Sequence, residues 1–116
     1  ERAVNRHDPR LWALLADCYA MLDRSAAARR SLQSALRAPA VEADVLFVAA
    51  GVYERLGVRH SALKLLARAV AGGFPLREIE ASPWLARLRA EPRYRSIVAR
   101  AQEQQTPATG KKEEQR

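Results

Sequence analysis

A single cysteine, Cys18, rules out an intrachain disulfide, and nothing in the chain calls for an oxidising compartment. There are two histidines, His7 and His60, and neither stands at metal-ligand spacing from Cys18. The longest apolar run, Val45 to Val52, falls well short of the roughly 18 residues needed to cross a bilayer. No signal-peptide pattern is present. No glycine-rich phosphate loop occurs, and Ser25, Ser31, Ser34, Ser61, Ser82 and Ser96 have no nucleophile-elbow context. These absences predict a non-enzymatic chain with no catalytic residues, no metal and no cofactor.

Aromatics make up only 6% of the 116 residues, with 5 glycines and 6 prolines lying mostly between apolar-periodic segments. What is abundant is Ala, Leu and Arg, a composition that suits helices. The net charge of +7 is unevenly spread, with the positive excess on alternate predicted helices.

Asp8-Pro9 opens the first helix, an N-cap acceptor followed by a first-turn proline. Leu11, Trp12, Leu14, Leu15, Cys18, Tyr19 and Leu22 follow at spacings of three and four. The break at Asp23-Arg24-Ser25 offers Ser25 as the next cap. A second helix is predicted over 26–38, with Ala28, Leu32, Ala35 and Leu36 inward and Pro39 as its stop. A third spans 43–56 and ends at Gly57, and a fourth spans 60–71 and ends at Gly72-Gly73. After Phe74-Pro75 the pattern changes. Ser82-Pro83 and Glu91-Pro92 each read as a cap plus first-turn proline, giving two or three short helices around Trp84, Leu85, Leu88, Tyr94, Ile97 and Val98. From residue 102 the composition turns polar and predicts a disordered tail.

The chain repeats itself at an offset of 34 residues. Tyr19 matches Tyr53, Leu22 matches Leu56, Ala28 matches Ala62, Leu32 matches Leu66 and Ala35 matches Ala69. Leu36 answers Val70 and Ala16 answers Ala50. A fixed period in this range is the mark of a stacked repeat. Trp12, Leu15, Ala16, Tyr19, Ala28, Leu32 and Ala35 form one unit, and Leu46, Ala49, Ala50, Tyr53, Gly57, Ala62, Leu66 and Ala69 the next. Residues 9–74 thereby resemble the tetratricopeptide repeat family. Departures are Leu46 where Trp is usual, Asp23 where Gly is usual, and Ala40 and Phe74 where Pro is usual.

The resemblance implies an all-α, right-handed α-solenoid of antiparallel helix pairs with a short helical C-terminal cap. Its parts are the end of a preceding repeat (1–8), unit one (9–42), unit two (43–74), the cap (75–101) and the tail (102–116). Because the chain begins with Glu1 and Arg2-Ala3-Val4 echoes Arg68-Ala69-Val70, it reads as a piece of a longer protein. The segment from Phe74 through Val98 also resembles the closing piece of repeat arrays in bacterial multidomain signalling proteins, such as receptor-type serine/threonine kinases, cyclases and winged-helix regulators. That resemblance implies a cytoplasmic interaction module attached to an effector.

In the family the first helix of each pair lines a concave groove that binds protein or peptide partners. The groove positions map onto Arg10, Ala13, Asp17, Ala20 and Met21, and onto Asp44, Phe47, Gly51, Glu54 and Arg55. Phe47 lies off the face holding Leu46, Ala49, Ala50 and Tyr53, so it is either a partner anchor or a residue packed under the first unit or the terminal helices. Asp17 and Gly51 occupy positions where some family members carry a carboxylate clamp. Asp17 would repel a carboxylate, so the acidic groove suits an apolar-to-basic ligand. The second helices carry Arg29, Arg30, Arg37, Arg59, Lys64 and Arg68. These form either a solvated face or a stripe for nucleic acid or an anionic surface, the solvated face being favoured because no base-readout motif accompanies them. Cys18 and Trp84 are expected to be core residues. The function expected is therefore protein–protein interaction or scaffolding. The alternatives are an accessory anionic-surface role, or a spacer that self-associates through its N-terminal end.

Overall fold

The computed structural model describes residues 8–105, and among them finds seven α-helices, one 3-10 turn and no strand. Four helices build the body: α1 (Pro9–Met21), α2 (Ser25–Ala35), α3 (Ala43–Arg55) and α4 (Arg59–Ala71). They are followed by α5 (Leu76–Glu80), a 3-10 turn (Pro83–Leu85), α6 (Ala86–Arg89) and α7 (Pro92–Gln105). None is long and apolar enough to span a membrane. Residues 1–7 and 106–116, which hold most of the expected preceding repeat and of the tail, lie outside the described residues.

The ends of these helices follow from local chemistry. At the start of α1, Asp8 accepts a hydrogen bond from the Arg10 amide at 3.0 Å, and Pro9 takes the first helical position. At the other end, the Arg24 amide donates to the Tyr19 carbonyl (2.8 Å) and the Asp23 amide to the Ala20 carbonyl (3.1 Å). The same pair of bonds closes α3, from Val58 to Tyr53 and Gly57 to Glu54, and α4, from Phe74 to Ala69 and Gly73 to Val70. This is the Schellman closure, whose pivotal residue takes a left-handed conformation. Gly57 and Gly73 adopt it with φ of 82° and 101°, but in α1 the pivot is Asp23, with φ of 60°. A side chain at that φ costs energy that glycine avoids. Asp23→Gly is therefore expected to raise stability by about 0.5–1 kcal/mol, read as a higher urea midpoint with an unchanged slope.

Several predicted boundaries are corrected. Ser25 is the first residue of α2 and makes no capping bond, and the cap position falls on Arg24. Helix α2 stops at Ala35, with Leu36 closing it, so the turn precedes Pro39 and does not depend on it. Helix α4 begins at Arg59. The cap includes α7, longer than any of the four body helices, and it runs on to Gln105 beyond the expected start of the tail. Fully buried Ala101 anchors that last stretch.

Helix α1 packs on α2, α3 on α4, and α1 stands beside α3. Small residues make the close approaches: Ala16, Ala28, Ala49, Ala50, Ala62 and Ala69 are all fully buried. Leu32 and Leu66, equivalent at the repeat offset, are the large fully buried side chains of α2 and α4. A smaller apolar cluster of Ala13, Ala35 and Val45, flanked by Trp12, Val41 and Val48, joins the two pairs.

The C-terminal elements close one end of this body. The 3-10 turn packs on α3 and α7 packs on α4, and their Ile79, Leu85, Leu88 and Tyr94 merge with the main core. Ser82 turns its hydroxyl back to the Glu78 carbonyl (2.8 Å) instead of capping the following turn. Arg89 is not part of a free positive surface: its Nη1 donates to the carbonyls of Ile79 (2.9 Å) and Ser82 (2.7 Å). The Tyr94 hydroxyl is buried without a hydrogen-bond partner among the described residues, and burial, then the charge of Glu80, push its pKa up. A buried, unpaired hydroxyl carries an unreturned desolvation cost. Tyr94→Phe is accordingly expected to be neutral or stabilising by up to about 1 kcal/mol in the same denaturation assay.

Candidate functional site

Positions that match at the repeat offset are brought side by side on α1 and α3. Arg10 and Asp44 stand 34 residues apart, and Arg10 Nη1 meets Asp44 Oδ2 at 2.8 Å, while Nη2 reaches Glu42. The Glu42 hydrogen bond, then the Asp44 charge, raise the Arg10 pKa. These groups are exposed, so the cluster sets local geometry more than stability. Asp17 and Gly51, the next matching pair, line one cleft together with Phe47, Val48, Arg55 and Trp84.

That cleft measures about 200 Å³ and opens to solvent. It is smaller than the pockets of roughly 300–1,000 Å³ that hold metabolites or cofactors, and matches a single inserted side chain. One wall is aromatic. The Phe47 and Phe74 rings stack with centroids 4.3 Å apart and planes at 17°. Trp84 tilts against Phe47 at 6.5 Å. The Trp84 indole can lie this close because residue 51 is glycine: a Cβ there would sit 3.0 Å from Trp84 Nε1. Asp17 and Arg55 supply a carboxylate and a guanidinium. Neither takes part in an ion pair among the described residues, so both are available to a ligand.

The sequence-predicted groove residues therefore divide. Asp17, Phe47, Gly51 and Arg55 converge on the cleft, and Met21 is exposed on α1. Ala13 and Ala20 are buried between helices and offer no surface to a partner, because the space they occupy is where α1 meets its neighbours. Arg10 and Asp44 neutralise each other. The Glu54 side chain is 7% exposed and held by Arg59, which also reaches Glu91 at 3.1 Å. The Glu54 and Glu91 hydrogen bonds raise the Arg59 pKa, and they tie the start of α4 to the cap. Arg59 thus leaves the expected basic stripe, whereas Arg29, Arg30, Arg37, Lys64 and Arg68 remain exposed.

Two expectations are overturned. Trp84 is 52% exposed and forms a cleft wall instead of core. Its neighbour Leu85 takes the buried position. Cys18 is exposed, as are Leu11, Leu14, Leu15 and Leu22 along the same side of α1. Phe47 satisfies the plainer alternative in part: it packs under the terminal elements while one side still faces the cleft. Sequence reasoning missed Trp84 as a site residue. The signal was Gly51, a helix-interior glycine whose missing Cβ implies close approach by another group. Among the described residues no three His, Cys, Asp or Glu side chains converge as metal ligands would. No protein-family model, curated protein or solved structure matches the chain.

Proposed function

We propose that this chain is a non-catalytic protein-interaction module. Its body is read as two tetratricopeptide-like units, a right-handed solenoid of antiparallel helix pairs whose first helices present a groove. The observation that carries this reading is the cleft between α1 and α3, where equivalent positions Asp17 and Gly51 meet under Trp84. Its size selects one side chain of a partner segment, and its walls select the kind. An aliphatic or aromatic stem packs on Phe47 and Trp84, and a cationic tip over the indole meets Asp17. Arg55 at the rim then holds a neighbouring acidic group or the partner's backbone carbonyls. Helices that are already packed carry little ordering cost on binding.

Selection from a displayed peptide library tests this directly. Wild-type protein is expected to enrich peptides sharing a Lys or Arg beside an apolar residue. Trp84→Ala and Asp17→Lys, each checked for a native helical spectrum, are expected to weaken those peptides roughly tenfold or more. Enrichment of no common motif, or equal binding by the variants, would refute the assignment. Trp84 and Asp17 are better probes than Phe47, whose ring also supports the cap.

A further inference from the structure

The cleft has one wall that packing alone does not place. Asp17, Phe47, Val48, Gly51 and Arg55 come from the packed helices α1 and α3, and Trp84 is the one lining residue supplied by the cap. Trp84 is half-exposed and sits in the three-residue 3-10 turn, where the Leu85 amide donates to the Ser82 carbonyl at 3.2 Å. Short 3-10 turns have poor hydrogen-bond geometry and hold little shape by themselves. Buried Leu85 fixes how deep the turn sits, but one anchor leaves it free to roll about that point.

The bonds that stop the roll come from further along the chain. Arg89, on α6, donates from a single nitrogen, Nη1, to the carbonyls of Ile79 (2.9 Å) and Ser82 (2.7 Å). Ile79 lies in α5 and Ser82 immediately precedes the turn, so one guanidinium straps the entry of the turn to its exit. Hydrogen bonds from a charged donor are the stronger kind. Arg89 is part-buried and takes part in no ion pair among the described residues. It does not line the cleft.

We propose that Arg89 is the positioning residue of the cleft. By strapping Ile79 and Ser82 it holds Trp84 over Gly51, and so sets how tightly a partner side chain is gripped without touching it. The effect on grip rests on the cleft being the recognition site; the placement of Trp84 does not. The tolerance is small. A Cβ at residue 51 would lie 3.0 Å from Trp84 Nε1, and the indole meets Phe47 at 6.5 Å, so a roll of the turn takes the ring away from both. A binding wall keeps its contacts only when its supports hold it to within about 0.5 Å.

Arg89→Met keeps an unbranched stem and removes the donors. Arg89→Lys restores three donors on one nitrogen, at a reach one bond shorter. The ¹H–¹⁵N spectra of the free proteins test the placement with no ligand present. In Arg89→Met the Trp84 indole and the Gly51 amide are expected to shift, while the Trp12 indole, beside the groove between α1 and α2, stays in place. Arg89→Lys is expected to return both signals part of the way. A peptide selected by the wild-type cleft is expected to bind Arg89→Met roughly fivefold more weakly. Unmoved Trp84 and Gly51 signals in Arg89→Met overturn the proposal. So does a Trp12 shift as large as that of Trp84, or loss of the folded spectrum, since either makes Arg89 a support of the whole fold. A displaced Trp84 with undiminished peptide affinity overturns the effect on grip. If wild type selects no peptide, the cleft reading fails, and the indole shifts still settle whether Arg89 places Trp84.

Discussion

Replacing Leu66 by alanine is expected to remove about 3–4 kcal/mol of stability, most of what a domain this small possesses. Leu66 is fully buried, as are the alanines that bring its helices together, Ala62 and Ala69. Helices held close by alanine contacts cannot settle further to fill the space a leucine leaves, so the cavity term adds to the lost transfer energy. Leu32 occupies the equivalent place in α2 and is equally buried. Leu32→Ala should cost a similar amount, since both leucines are fully buried among fully buried alanines. Paired urea titrations read both values. Equal, sub-kilocalorie losses would mean that these two leucines do not form matching cores.

The second large effect concerns Phe47. Phe47→Asp is expected to cost about 3 kcal/mol, summing lost apolar burial, the lost stack on Phe74 and a carboxylate placed against Phe74 and Trp84. Asp17 and Arg55 line the same cleft, so its ionic groups offer the new carboxylate one like and one opposite charge and do not offset the loss of burial. Phe47→Leu keeps most of the volume and should cost less than about 1.5 kcal/mol. The two variants separate a structural role from a recognition role. If Phe47→Asp leaves stability unchanged, the ring is not holding the cap, and the cleft wall described above is wrong. Binding losses measured with Phe47→Asp alone would mix unfolding with recognition.

How the sequence prefigures the structure depends on what kind of fact is asked of it. Period and cap chemistry are local, and they locate α1 through α4 to within about three residues. Asp8-Pro9 carries its own start signal, a capping carboxylate and a first-turn proline, and Gly57 supplies a left-handed stop. Asp23 also announces itself, since a repeat that has glycine at one Schellman pivot and aspartate at the other has paid for something or drifted. Coverage is not local. Leu11, Leu14, Leu15 and Cys18 have the same pattern as a buried face, and only the position of the neighbouring helices reveals that no described element covers them. The same holds for Trp84: spacing puts it among Leu85 and Leu88, but within the 3-10 turn it faces outward while Leu85 is buried. The arginines show the limit most clearly. Arg29, Arg59 and Arg89 look alike in sequence, yet one is exposed, one is clamped by two glutamates and one is bonded to backbone carbonyls. Most of the candidate site, Asp17, Phe47, Gly51 and Arg55, is legible from the repeat. Trp84 comes from the cap, which obeys no repeat.

The chain has two tryptophans, and each reports on a different surface: Trp84 on the cleft, Trp12 on the groove between α1 and α2. Titrating a selected peptide into ¹⁵N-labelled protein and following the two indole N–H signals is the most direct test of the interaction function. The cleft account predicts that the Trp84 indole and the Gly51 amide shift together on saturation while the Trp12 indole stays in place. Movement of Trp12 with Trp84 and Gly51 unchanged would contradict it and assign recognition to the other face.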